Sequence, residues 1–415
     1  MGFQQGLSGL SAAASSLDVI GNNIANSTTA GFKSSTAQFA DVYATSLSGS
    51  GTNPIGTGVQ LAGVAANFLQ GNIAVTSNPL DAAIDGIGFF RLDTNGVISY
   101  TRNGQFHIDK YGELVNAANA KVTGYTAVDG AIVPGNLGPL AIPTDDLLPK
   151  TSSKAGIVAN LDSRAAIPTV SPFDPADAGS YNSATSINVY DSLGNAHAFA
   201  TYYAKTADNT WSVYGTVDGV AQAAVLGTLA FSTGGTLTGP VVSPGPPPVY
   251  GLASVTLTLP VVAGANPTVT LAPVNFTGTT QFASSFGVTA LTQDGYSSGK
   301  FTAFSIAGDG TMQGRYSNGE TRPLGQVVLA TFANSEGLQP LGGNAFAESS
   351  TSGQALVGAP GSSSLGSLQS GAVEESNVDL TRELVGMITA QRFYQANAQT
   401  VKTQDQVLNT LVNLR

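Results

Sequence analysis

The chain has 415 residues, enough for two to four domains, and only 10% of them are charged, against roughly 25% in an ordinary soluble domain. It carries 26 acidic and 16 basic residues for a formal charge of −10, and the basic ones are scattered, which argues against nucleic-acid binding. There is no cysteine, so disulfides, thiolate catalysis and cysteine-ligated metals are excluded, and no run approaches the ~20 apolar residues of a membrane span.

The first predicted element is a helix from Gly2 to about Asn26. Phe3, Leu7, Leu10, Ala14, Leu17 and Ile24 recur at alternating four- and three-residue spacings, with Gly21 at the remaining seam position. Gly6, Gly9 and Gly21 each weaken it by about 0.5–1 kcal/mol relative to Ala, so it should not hold alone. Asp18 is its only charged side chain and Lys33 the first basic residue, so no basic segment of a secretory signal precedes it. Residues 28–70, rich in Ser, Gly and Thr, read as an extended connector.

From about Gly71 to Gly366 the pattern alternates at period two. Asn95-Gly96, Asn103-Gly104, Asp129-Gly130, Asp218-Gly219, Asp294-Gly295, Asp309-Gly310 and Asn318-Gly319 are turn dipeptides between half-buried strands. Pro143 to Ser153 reads as a boundary, and Pro240 to Pro248 as an exposed loop without strand capacity. Residues 349–374 form a second low-complexity connector. The last element is a helix from about Asn377 to Leu414, with Leu380, Leu384, Met387, Tyr394, Ala398, Val401, Leu408 and Val412 on the same spacing. Gln391 and Asp405 interrupt the seam, and Ser376 or Asn377 is the expected cap, with Asp379 near the positive end of the dipole.

The fold class expected is mixed: a terminal α-helical coiled coil plus two mainly β domains, the outer inserted in the inner. The helical domain takes 1–27 and 375–415, the inner β domain 71–145 and 286–348, and the outer 146–285. Both termini would then lie at one end and the middle at the other.

Enzyme chemistry finds little support. His107 and His197 both fall in strand-like segments, where a histidine is usually structural. The pairs Asp145-Asp146 and Glu374-Glu375 read as solvated boundary residues, and Gly86-Ile87-Gly88 as a turn rather than a phosphate loop. No catalytic, cofactor-binding or metal site is assigned. An intramolecular helix pair is the plain reading of the terminal seams, but their length, weak charge and lack of a third helix favour packing between chains.

The residues then become specific. Leu7-Ser8-Gly9-Leu10, Leu17-Asp18-Val19-Ile20-Gly21-Asn22-Asn23-Ile24-Ala25-Asn26 and Thr29-Ala30-Gly31-Phe32-Lys33 closely resemble the amino-terminal signature of bacterial flagellar rod and hook proteins. Ser376-Asn377-Val378-Asp379-Leu380 and Ala390-Gln391-Arg392-Phe393-Tyr394 are similar to that family's carboxyl-terminal signature, and Gly88-Phe89-Phe90, Tyr100 to Phe106 and Arg322-Pro323-Leu324-Gly325 to its inner β motifs. The ending from Thr400 to Arg415 and the insertion containing Ser186 to Gly194 look like those of the hook proteins rather than the shorter rod proteins. The resemblance implies a subunit of the curved extracellular hook, a tube that joins motor to filament and transmits torque. Its partners would be copies of itself, the distal rod, the hook cap, the hook–filament junction protein and the flagellar type III export apparatus, which would export it without cleaving a signal. A distal rod or other axial protein is the near alternative, and a secreted β-sandwich adhesin the one from another class.

Overall fold

The computed structural model describes residues 2–42, 56–128, 130–143, 145–222, 224–260 and 264–413. Asp129, the Val412 side chain, Leu414 and Arg415 lie outside that description. The fold class is the expected one: a helix at each end and a β body between. Helix α1 spans Gly2–Ala25 and helix α2 spans Leu380–Asn413.

Two compact units emerge: Met1–Thr144 with Ala303–Gly314 and Thr321–Arg415, and Asp145–Thr302 with Arg315–Glu320. Residues 286–302, read from sequence as inner domain, fall with the second unit. The reason is the ladder, since Gly287–Gln293 pairs antiparallel along Ala155–Asp162.

In the first unit, 28–70 is not an extended connector. Strands β1 (Ser35–Val42) and β2 (Gly58–Ala66) form an antiparallel hairpin. A lone two-stranded hairpin is marginal in water, and this one leans on α1. Val59 N donates to Ser8 Oγ at 3.3 Å and Gln5 Nε2 to Gly56 O at 2.6 Å. The second supposed connector also pairs. Leu356–Gly358 joins Leu329–Thr331, Ser367–Ser370 joins Ala82–Asp85, and Ala372–Glu374 joins Ile73–Val75. Short polar strands of this kind lack the alternation that periodicity detects. The body core packs Phe89, Tyr100, Ala330, Leu338 and Phe346, and Phe68 meets Phe346 edge to face at 5.2 Å.

The second unit has its own core. Ser183–Tyr190, Ala196–Ala207, Thr210–Val217 and Gly227–Phe231 form an antiparallel meander. Its buried face packs Phe199, Tyr203, Trp211 and Leu229 with Ile157, Leu161 and Phe276. Trp211 Nε1 donates to Gln281 Oε1 at 3.0 Å, so the single tryptophan is buried and satisfied. Within the Pro-rich run, Val241–Ser243 pairs with Val249–Leu252, against the expectation of a pure loop. A three-residue strand at a sheet edge tolerates flanking prolines because few of its amides must donate. Asn95-Gly96 and Asp218-Gly219 have positive φ at both positions, as the hairpin reading requires. Gly104 does not. It lies where a side chain would strike Ala82 O, so its role is close approach rather than turning.

Candidate assembly surface

The two helices pair within the chain, which the sequence reading set below pairing between chains, and they do so through their smallest residues. A Cβ on Gly6 would stand 2.9 Å from Val401 Cγ2, and one on Gly9 would stand 2.7 Å from Asn397 Oδ1. Further along, Ile20 Cδ1 faces Gly386, and Asn23 Nδ2 donates to Glu383 Oε1 at 3.1 Å. Numbers rise on one helix as they fall on the other, so the pair is antiparallel. Ala13 and Ala390 are buried in this seam.

The predicted apolar seam therefore lies largely elsewhere. Phe3 and Leu7 are exposed, Leu7 to 52%, while Leu10, Leu17 and Ile24 are half-buried. On α2, Leu380, Leu384, Tyr394 and Leu408 are exposed, and Met387 and Val401 are half-buried, Val401 against Gly6 of α1. The reason is steric. Glycines let backbones approach where leucines would hold them apart, so the small face forms the intrachain contact and most of the bulky positions remain outside.

Where the helices meet the body, the chain is knotted by buried polar groups. Lys33 Nζ lies 2.6 Å from Glu374 Oε1 and donates to Leu69 O at 2.7 Å. Arg102 Nη1 lies 3.1 Å from Glu374 Oε2, and its Nη2 donates to Gly86 O at 2.8 Å. Gly71 N also donates to Glu374 Oε1, at 2.8 Å. Glu374 is thus wholly buried, not a solvated boundary residue; its neighbour Glu375 is the exposed one. Burial pushes the Lys33 ammonium and the Arg102 guanidinium down from their ordinary values, against the pull of Glu374.

Most signature residues gather here. Asn23 Oδ1 accepts from Ser35 N at 2.9 Å while its Nδ2 donates to Ser35 O at 2.8 Å, so one side chain fastens α1 to the start of β1. Asn26 Nδ2 donates to Asn22 Oδ1 at 2.9 Å and Asn26 Oδ1 accepts from Thr29 Oγ1 at 3.2 Å, closing the turn after α1. Gly31 has φ +70 and lies where a Cβ would be 2.5 Å from Asn103 N, and its own N donates to Glu374 O at 2.7 Å. Phe32 N donates to Thr29 O at 3.2 Å. Asn377 accepts from Ser34 N at 2.7 Å and donates to Asn67 O and Leu69 O. It does not cap α2. Asp379 does, accepting from Thr381 N at 3.0 Å and Arg382 N at 3.1 Å, because its carboxylate reaches the free amides of the first turn. Val378 is half-buried beside it, whereas Ala25, Gln391 and Arg392 are exposed and away from the knot. Sequence reasoning missed Glu374 as the shared partner of Lys33 and Arg102. A carboxylate following Ala372-Val373 in a strand was the available signal.

In the second unit His197 joins two turns. Its Nδ1 lies 2.7 Å from Asp218 Oδ2 and its Nε2 3.5 Å from Asp191 Oδ2. Burial opposes its charging, but the two carboxylates outweigh that and raise its pKa. His107, by contrast, is exposed. Among the described residues no group of three or more His, Asp or Glu could hold a metal, and no helix is long and apolar enough to cross a membrane.

Four family models match the chain: flagella basal body rod protein over 3–33, flagellar hook protein FlgE/F/G D1 domain over 83–158, flagellar basal body protein FlaE D2 domain over 160–296, and flagellar basal body rod FlgEFG protein C-terminal over 369–414. The flagellar hook protein FlgE of Escherichia coli K12 is 45% identical over 422 residues, covering all of both chains. That of Borreliella burgdorferi is 34% identical, covering 99% of this chain and 98% of its own. The crystal structure of Helicobacter pylori flagellar hook protein FlgE2 shares the fold at TM-score 0.53 and 15% identity, over 71% of this chain and 99% of its own. With the terminal helices, the signature knot and full-length relatives in agreement, the chain belongs to the flagellar hook protein FlgE family.

Proposed function

We propose that the chain is the structural subunit of a flagellar hook, polymerising into the curved tube that joins motor to filament and carries torque between them. Its place is the flagellum. One observation carries the reading beyond family membership: the helix pair uses its small faces within the chain and leaves Leu7, Leu380, Leu384, Ile388, Phe393 and Leu408 outside. An exposed apolar set of that size is what contact with further copies would bury, and heterologous contacts whose rotation does not close build tubes.

Phe3, Leu7, Leu10, Leu17, Ile24, Leu380, Leu384, Met387, Tyr394, Val401, Leu408 and Val412 are accordingly assigned to the helical wall of the tube, which would be its inner lining. The distal rod, the hook cap and the junction protein would meet its ends, and type III export would deliver the subunit unfolded. This role requires no catalysis. Electron microscopy of the purified full chain under assembly conditions should show curved tubes. The chain lacking residues 1–26 should remain monomeric with its β body folded; tubes from the truncated protein would overturn the assignment.

A further inference from the structure

Two features of the first unit lack a counterpart among the described residues. One is an open groove of about 560 Å3 between α1 and the β1–β2 hairpin, walled by Leu7, Ser11, Ala12, Val42, Val59 and Leu61. The other is the end of α2. With Gly6 opposite Val401 and Gly9 opposite Asn397, α1 runs out near Gln404, and the last two turns of α2 continue past it. Val407 and Leu408 on that overhang are 49% and 53% exposed.

The charges match. Asp18 is the only charged residue of α1, exposed and without an ion pair among the described residues. It continues the stripe of Gln4, Ser11 and Ser15 that lines the groove, at the three-, four- and seven-residue spacing of one helix face. Lys402, likewise exposed and unpaired, stands at the root of the overhang. Asp18 lies six residues from Ala12 on α1, and Lys402 six from Leu408 on α2, about 9 Å in each case.

Subunits of a helical polymer share one polarity, so α2 of one copy meets α1 of another antiparallel, as it does within the chain. We infer that the overhanging end of α2 seats in the α1–hairpin groove of a second copy, with Lys402 against Asp18 and Leu408 against Ala12. This rests on the hook-subunit reading and adds the contact and its register. Intrachain pairing places Asp18 near residue 388, so the second copy is displaced by roughly 21 Å along the helices.

Charge reversal tests it on the full chain. Asp18→Lys and Lys402→Glu should each raise the critical concentration for tube assembly, roughly threefold to tenfold, with the increase shrinking at high salt. Both residues are exposed, so Trp211 fluorescence and thermal melting of the β body should match the parent. Mixing the two single variants should restore assembly, because every groove then finds an end of opposite charge in the other variant. The double variant should assemble alone. Single variants that assemble like the parent, or a mixture no better than its components, would overturn this contact while leaving the hook reading intact. Failure of the parent chain to form tubes would overturn the hook reading itself.

Discussion

Glu374 illustrates how much rests on one buried side chain. It accepts from Lys33, Arg102 and the Gly71 amide, and its backbone carbonyl accepts from Gly31, so the crossings before β1 and before α2 are tied to each other and to the body. Removing the shared carboxylate leaves two buried cations uncompensated, and Glu374→Gln should therefore destabilise the first unit by about 3–5 kcal/mol in urea denaturation. His197 acts in the second unit through pH. Its folded pKa stands above the ordinary 6.5, so its contribution is fully present below about that pH and is lost as pH rises through the raised value. Thermal melting followed through Trp211 should fall across that window, and His197→Gln should flatten the slope. Asp294 has the opposite sign. Burial works against its carboxylate, yet bonds from the Ser153 hydroxyl and the Lys154 and Ser153 amides, with Lys150, hold it at about 2, and its contribution disappears only as acid protonates it.

Among the elements, α1 is the informative one. Its glycines read from sequence as three equal weaknesses, but the structure gives them different work. Gly6 and Gly9 admit α2, whereas a Cβ on Gly21 would meet nothing within 4 Å. Gly21→Ala should thus strengthen the helix by about 0.5–1 kcal/mol, while Gly9→Val, which must displace Asn397, should separate the pair and lower the helical signal of the assembled protein. Circular dichroism of the two variants should move in opposite directions. The hairpin beside α1 was illegible because 28–70 lacks a run of alternating apolar residues. Its strands are held by contact with the helix rather than by their own pattern.

For the whole molecule, the division into two units has an energetic basis in two separate cores, one around Phe89 and Phe346 and one around Trp211 and Phe276. Residues 145–302 expressed alone should accordingly melt cooperatively with Trp211 shielded from solvent. A molten product with exposed tryptophan would show that the second core depends on the rest of the chain.

Period and punctuation in the sequence determined both terminal helices, the β character of the middle and, through signature residues, the family. These depend on local spacing, which a chain carries without folding. Tertiary structure alone decided which helix face is used within the chain, which acid pairs with Lys33, and where the second unit ends. Each of those joins residues distant in sequence: Gly6 with Val401, Lys33 with Glu374, and Ala155–Asp162 with Gly287–Gln293. No local pattern encodes such a partner. Close packing and the cost of burying an unpaired charge select it.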